Sequence, residues 1–169
     1  MVYRFASTKD LDLLVQLRLD FLEVDINYKD YDTIKDNCYS YFQDALSKAL
    51  CDIILAEDDE IIVGTGITFY YNSVPSTFNI SGKNAYVTSM YVKEEFRRRG
   101  IATNMLSQLI EASKLKGYPI IILNASDIGK ALYNKFVADC EKTGVKKLLG
   151  EVTINYHNSA FVNSALDFI

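Results

Sequence analysis

The sequence predicts an α/β fold in which a mixed, mostly antiparallel and twisted sheet is flanked by helices. Three observations carry that expectation. The runs 52–56, 61–71 and 86–92 are rich in β-branched and aromatic residues and are separated by turn-forming segments, as consecutive antiparallel strands are. After them the pattern changes to helix, strand, helix, which calls for a right-handed crossover and a parallel pair. Before them lie two stretches of helical period.

In chain order, Val2 to Ala6 reads as a short strand, and Ser7 or Thr8 with Asp10 offers a helix start. Leu14, Leu17, Phe21 and Val24 repeat at helical spacing, so the first helix is expected to reach about Val24. A second helix is expected over about 34–50, with Tyr41, Ala45 and Ala49 on one side. Asp52 to Ala56 is a buried-looking strand, followed by the turn Glu57-Asp58-Asp59-Glu60 and a long strand from Ile61 to about Tyr71. Gly64-Thr65-Gly66 imitates the start of a dinucleotide loop. Phe69 occupies the place of the third glycine, however, and the run lies inside a strand, so a bulge or close packing is the expectation. The segment 72–83, with Pro75, Gly82 and several serines, reads as a loop able to overhang a site. A helix follows from Ile101, with Met105 and Leu109 on its apolar stripe and Gly117 as its C-terminal cap. Pro119 to Leu123 is apolar throughout, as a strand covered on both faces should be. A further helix begins near Asn124 and carries Leu132, Tyr133 and Phe136, and a last strand is expected near 151–156.

At 169 residues without an evident linker or repeat, the chain reads as one domain over 1–169. The formal charge of −4 argues against nucleic acid as a partner, because phosphate neutralisation drives that binding. Cys38, Cys51 and Cys140 share no metal-ligand spacing, so neither a zinc site nor a disulfide framework is expected. No run approaches the roughly 18 apolar residues of a membrane span, and the first ten residues lack a signal peptide's apolar core. A cytoplasmic protein with no membrane partner is the expectation.

The stretch 86–117 organises the rest. A strand hands the basic, glycine-containing turn Arg97-Arg98-Arg99-Gly100-Ile101-Ala102 to the start of a helix. Helix N-termini present amide N–H groups that lack partners, and the helix dipole favours anions there. Clustered arginines on an acidic chain therefore point to a small phosphate-bearing ligand.

These residues resemble the signature of the GNAT superfamily of N-acetyltransferases, in which Gln or Arg, two residues, Gly, one residue, and Gly or Ala occupy a strand-to-helix turn. Arg97, Gly100 and Ala102 satisfy it here. Thr88 to Val92 resembles the family's central strand and 125–136 its later helix, so the resemblance covers about 2–136. It implies acetyl-CoA as cosubstrate, no metal, a primary amine of a small molecule or peptide as acceptor, and homodimerisation. The backbone of Arg98 to Thr103 would cradle the pyrophosphate, with one of Arg97, Arg98 and Arg99 turned to the ribose phosphate or to solvent. The backbone of Met90, Tyr91 and Val92 would align the pantetheine arm and stabilise the developing oxyanion. Ser126 stands where many relatives have a coenzyme-contacting asparagine, and Tyr133 stands in the catalytic tyrosine position. After Tyr133 the family usually reads Gly-Phe, whereas this chain has Val137 and Ala138, so the C-terminal segment is atypical.

Proton transfer from a tyrosine to a thiolate is uphill by about 1.5 pKa units, or roughly 2 kcal/mol, so Tyr133 would act first as a hydrogen-bond donor, and as a full acid only if its site lowers its pKa. Deprotonating an alkylamine at neutral pH costs roughly 4.6 kcal/mol unless a base or desolvation helps. His157, the single histidine, is a weak candidate for that base; Glu23 and Asp25, where the first helix ends, could face a cationic substrate, although carboxylates there are usually solvated, and a water chain to bulk serves as well. The acidic residues between Asp20 and Asp36 would suit polyamines or aminoglycosides, although a solvated acidic face is the commoner explanation. The alternative function is a non-catalytic acyl-CoA-binding sensor or interaction module. A P-loop at Gly129-Lys130 fails because Asn124 stands where the earlier glycine is required and no Ser or Thr follows the lysine.

Overall fold

Residues Cys51–Asp58 form the strand β2, whose side chains alternate between two apolar clusters, and that alternation sets the architecture. Ile54 and Ala56 join the cluster built on one helix, while Cys51, Ile53 and Leu55 join the cluster built on two others. The computed structural model describes residues 1–77, 79–125 and 151–156. In chain order these form β1 (Val2–Phe5), α1 (Leu11–Phe21), α2 (Tyr31–Ser47), β2, β3 (Ile61–Asn72), β4 (Lys83–Val92), α3 (Ile101–Leu115), β5 (Ile120–Ala125) and β6 (Glu151–Tyr156).

The six strands lie in the sheet in sequence order. The pairs from β1 to β4 are antiparallel, and β4–β5 and β5–β6 are parallel. The expected mixed, mostly antiparallel sheet is therefore present, including its final strand at the expected residues. Helix α3 covers one face through Met105, Leu106, Leu109 and Ile110, all fully buried. Helices α1 and α2 cover the other through Leu14, Val15, Leu19, Phe42 and Ala45.

Helix boundaries depart from the sequence reading where no glycine marks them. Helix α1 stops at Phe21, not Val24: the Val24 N–H donates to the Leu19 carbonyl and the Glu23 N–H to that of Asp20, with Glu23 at φ +55°. That is a Schellman cap with glutamate in the left-handed position. Helix α2 begins at Tyr31 and ends at Ser47, where Ala49 at φ +52° closes an equivalent cap through Leu50 and Ala45. At α3 the same cap uses Gly117 at φ +78°, as expected. Left-handed backbone costs a Cβ-bearing residue roughly 1–2 kcal/mol, and glycine's own entropic cost offsets part of the relief. Glu23→Gly and Ala49→Gly should therefore each stabilise the fold by about 0.5 kcal/mol. Urea unfolding should show this as a raised midpoint at constant slope. The four-residue turn expected between β2 and β3 narrows to Asp59-Glu60, both at positive φ, because Glu57 and Asp58 remain paired with Ile62 and Ile61.

The loop 73–82 lies at the end of the β3–β4 hairpin where Asn72 faces Lys83. The other end of that hairpin, where Gly64 faces Val92, carries the arginine turn. The loop is tied down by Asn84, whose amide donates to Ser73 Oγ and to the Gly82 carbonyl. It is thus a capped hairpin end remote from the arginine turn.

Candidate active site

Strand β4 leaves its ladder at Val92 and passes through Lys93 and a single 3-10 turn, Glu94–Phe96, to the arginines. Arg98 at φ +61° and Gly100 at φ +78° then reverse the chain into α3. Gly100 is the N-cap residue, so no side chain covers the first amides, and no acidic residue lies in the first turn. The N–H groups of Ile101, Ala102 and Thr103 point out of the helix without intrahelical acceptors, at the positive end of its dipole. The space above Gly100 is open: an added Cβ would meet only Asn104 Nδ2, at 3.9 Å. What requires glycine is the left-handed φ, together with clear access for a ligand. This open, donor-rich helix start suits a pyrophosphate.

The three arginines divide their work. Arg97 Nε donates to the Val92 carbonyl at 3.0 Å, which fastens the turn to the end of β4. Arg99 donates to the Glu95 carbonyl at 2.8 Å and lies over the Phe96 ring. Arg98 is exposed and makes neither kind of contact among the described residues, which leaves it the most available of the three.

Beside the turn the sheet opens. The β4–β5 ladder runs from Asn84 opposite Ile120 to Val87 opposite Leu123 and stops. Beyond that point, among the described residues, β5 continues only against β6, through Asn124 and Ala125, and β4 only against β3. The β4 backbone from Thr88 to Val92 thus presents an unladdered edge that leads directly to the amides of α3. Backbone groups in such a gap need partners, and an extended ligand lying along the strand can supply them.

A bulge sits at the start of this gap. Between Ile67 opposite Thr88 and Thr65 opposite Tyr91, β3 spends one residue, Gly66, against two, Ser89 and Met90. Ser89 takes up the extra length at φ +51°. Ala85, Val87, Met90 and Val92 all pack on the α3 side, so the added residue reverses which positions face which helices. Met90 crosses over Gly66, where an added Cβ would lie 2.3 Å from its sulfur. Bulge and close packing, the two readings of Gly64-Thr65-Gly66, are both realised, with the extra residue in the facing strand.

On the opposite face, Ser89 borders a narrow cleft between the sheet and the first two helices, lined also by Leu14, Leu17, Arg18, Phe21 and Phe42. Phe21 meets Tyr91 edge to face, with ring centroids 6.3 Å apart. Arg18 Nη1 donates to Ser89 Oγ at a long 3.5 Å, and the guanidinium lies 5.3 Å from the centre of the Phe21 ring. Sequence reasoning did not single out Arg18 or Ser89. The signal present was Arg18 interrupting the apolar stripe Leu14, Leu17, Phe21.

The comparisons with known proteins bear on this geometry. The model of the acetyltransferase (GNAT) family matches residues 14–127, which contain the bulge, the open edge, the arginine turn and α3. The chain belongs to the GNAT acetyltransferase family. A GNAT fold of this kind occurs in a predicted acetyltransferase from Clostridium acetobutylicum, whose crystal structure contains acetyl-CoA. The two are 30% identical, with a TM-score of 0.71, over 80% of this chain and 87% of that one. Two more distant solved structures share the fold. Glucosamine-6-phosphate N-acetyltransferase from Arabidopsis thaliana is 17% identical, with a TM-score of 0.62, over 80% of this chain and 89% of that one. The ribosomal-protein-alanine N-acetyltransferase of Brucella melitensis is 18% identical, with a TM-score of 0.56, over 79% of this chain and 88% of that one. No curated protein sequence gives a match.

Membership makes this chain an acetyl-CoA-dependent N-acetyltransferase. Within the GNAT frame, Met90, Tyr91, Val92, Arg97, Arg98, Arg99, Gly100, Ile101, Ala102 and Thr103 all lie on the open edge or on the turn that continues it. Ser126, Tyr133 and His157 lie outside the described residues. Glu23 and Asp25 lie in the cap that ends α1, where Asp25 Oδ1 accepts from the Asn27 N–H at 2.8 Å, as a local turn. Cys51 is buried and its thiol is pushed up to about 12, chiefly by desolvation, so it is neutral and unreactive. Among the described residues no helix is long and apolar enough to cross a membrane.

Proposed function

We propose that this GNAT enzyme transfers the acetyl group of acetyl-CoA to a primary amine of a small molecule or peptide by direct attack. The observation that carries the proposal is the continuity of two ligand-ready surfaces, the open β4 edge and the uncapped N-terminus of α3. The amides of Arg98 to Thr103 hold the pyrophosphate, and Arg98 supplies the mobile positive charge for the remaining phosphate. The Met90 to Val92 backbone pairs with the pantetheine arm and donates to the thioester oxygen as negative charge develops there. Acetyl-CoA supplies the activated acyl group. The amine nitrogen gains the carbonyl carbon as the C–S bond breaks; the amine loses a proton and the sulfur gains one. Tyr133 is the hydrogen-bond donor to that sulfur, and Ser126 contacts the coenzyme. We take 1–169 to act as one domain, in the cytoplasm, as a homodimer whose interface involves the segment beyond Phe136.

Calorimetric titration should give a micromolar Kd for acetyl-CoA, and free thiol should be released with at least one amine. Failure to bind acetyl-CoA would overturn the proposal. Tyr133→Phe should lower kcat by about ten- to a hundred-fold. Its Kd for acetyl-CoA should stay within about two-fold, because a hydrogen bond made to the leaving sulfur strengthens only as charge accumulates. Full turnover in this variant would remove Tyr133 from the chemistry.

A further inference from the structure

Among the described residues, Arg18 is a cation without an anion. It projects from α1 into the cleft against the sheet, where desolvation pulls its pKa down from the ordinary arginine value. The other charged groups of that region do not answer it. Among the described residues no carboxylate lies within ion-pair distance of its guanidinium. Cys38, facing it from α2, has its thiol pushed up by burial and so stays neutral near pH 7. Asp20, two residues on, is exposed and accepts from Gln16 at 2.7 Å. Arg4 shows how the fold treats an arginine whose role is structural, since it is paired with both Asp10 and Glu57.

A guanidinium offers five N–H donors, and among the described residues Arg18 uses one, in a bond 3.5 Å long. Leaving a charge half-buried and unpaired is costly unless something completes the site. The walls around it, Leu14, Leu17, Phe21 and Phe42, are apolar. They raise the strength of any ion pair formed there by lowering the local dielectric. The inner part of the cleft has room for about one water-sized group, roughly 20 Å³, and the cleft opens to the surface. The hydrogen-bond acceptor that Arg18 reaches among the described residues is Ser89, the bulge residue immediately before Met90 on the open β4 edge.

We propose that Arg18 anchors an oxyanion carried by the acyl acceptor, so that the amine acetylated belongs to a molecule with a carboxylate or phosphate a few bonds from its amino group. This deepens the acetyltransferase reading and rests on it. The anion seated on Arg18 fixes one end of the acceptor in the cleft beside the bulge, and the amino group projects towards the open edge where the thioester lies. Arginine suits this task because its planar fork meets a carboxylate or phosphate through two parallel hydrogen bonds. The acidic residues Asp20, Glu23, Asp25, Asp30, Asp32 and Asp36 are all exposed, so they form a solvated face rather than a cation pocket.

The test is a panel of matched acceptors offered to the acetyl-CoA-loaded enzyme: an α-amino acid against its carboxamide, and glucosamine 6-phosphate against glucosamine. Calorimetric binding and thiol release are both read. In the parent at least one charged member should exceed its neutral counterpart ten-fold or more in kcat/KM, and which one does so distinguishes carboxylate from phosphate. Arg18→Met, which keeps the aliphatic stem, should cut that preference to within about two-fold by raising KM, with the Kd for acetyl-CoA unchanged. Arg18→Lys should keep part of the preference, and it provides the comparison if the methionine variant folds poorly. The proposal is overturned if the neutral members are preferred in the parent, or if the charge preference survives in Arg18→Met. It is overturned equally if kcat falls alike for both members of a pair, which would make Arg18 a general electrostatic aid. Loss of acetyl-CoA binding in the parent itself would instead sink the acetyltransferase reading beneath it.

Discussion

Thr103→Asp is expected to leave the apoprotein slightly more stable and to weaken acetyl-CoA binding about a hundred-fold. Thr103 is exposed in the first turn of α3, a turn with a glycine N-cap and no acidic residue. A carboxylate there compensates the helix dipole and is worth roughly 0.3–1 kcal/mol to the fold. The dipole lowers the pKa of the new group, so the gain is fully present above about pH 4 and is lost as pH falls through the lowered folded pKa. The same carboxylate competes for the amides proposed to hold the pyrophosphate and repels its charges. At about 5 Å and an effective dielectric near 20 the repulsion is roughly 3 kcal/mol, which corresponds to about a hundred-fold in Kd. Thr103→Asn, a neutral control of similar shape, should bind within about three-fold of the parent. The penalty should also shrink as salt is raised. Parent-like affinity in Thr103→Asp would place the coenzyme elsewhere than at this helix start. The opposite signs for stability and binding separate a ligand site from a merely unstable helix end.

How far the sequence announces this protein depends on whether glycine marks the geometry. Gly100 and Gly117 stand at left-handed positions, and both ends of α3 are legible because of them. Glu23 and Ala49 adopt the same backbone without that signal, which is why the ends of α1 and α2 came out three residues late. The bulge was legible only by reflection. Gly66 marks the place where Met90 needs room, whereas the extra residue, Ser89, lies in the facing strand among β-formers. The arginine turn, proposed to hold the pyrophosphate, is readable because it is contiguous in sequence. The cleft proposed to take the acceptor is not, since it joins α1, α2 and β4 through contacts that only tertiary packing creates. Arg18 shows the difficulty most plainly, because an arginine on an amphipathic helix ordinarily reaches solvent, and only the fold places this one against the sheet.

The bulge provides the second large effect. In Gly66→Ala the new Cβ would lie 2.3 Å from Met90 Sδ and 3.3 Å from Leu109 Cδ1. Leu109 is fully buried under the sheet and cannot retreat, so Met90 must move. A methionine side chain adapts readily, which keeps the stability cost near the lower part of the roughly 1–3 kcal/mol typical of overpacking. The effect on function should be larger than that cost suggests. Met90 lies within the unladdered edge, and displacing it shifts the backbone donors proposed to meet the thioester oxygen. A misplacement of about 1 Å can cost up to a hundred-fold, so kcat should fall about ten-fold or more while the Kd for acetyl-CoA, set mainly at α3, changes little. Adding Met90→Ala to Gly66→Ala removes the clashing sulfur. The double variant should be more stable than the sum of the two single effects predicts, with a coupling of at least about 1 kcal/mol in a thermodynamic cycle. Additive stabilities would mean that the two residues do not meet as the register requires. A parent-like kcat in Gly66→Ala would mean that the bulge does not position the groups that carry the chemistry.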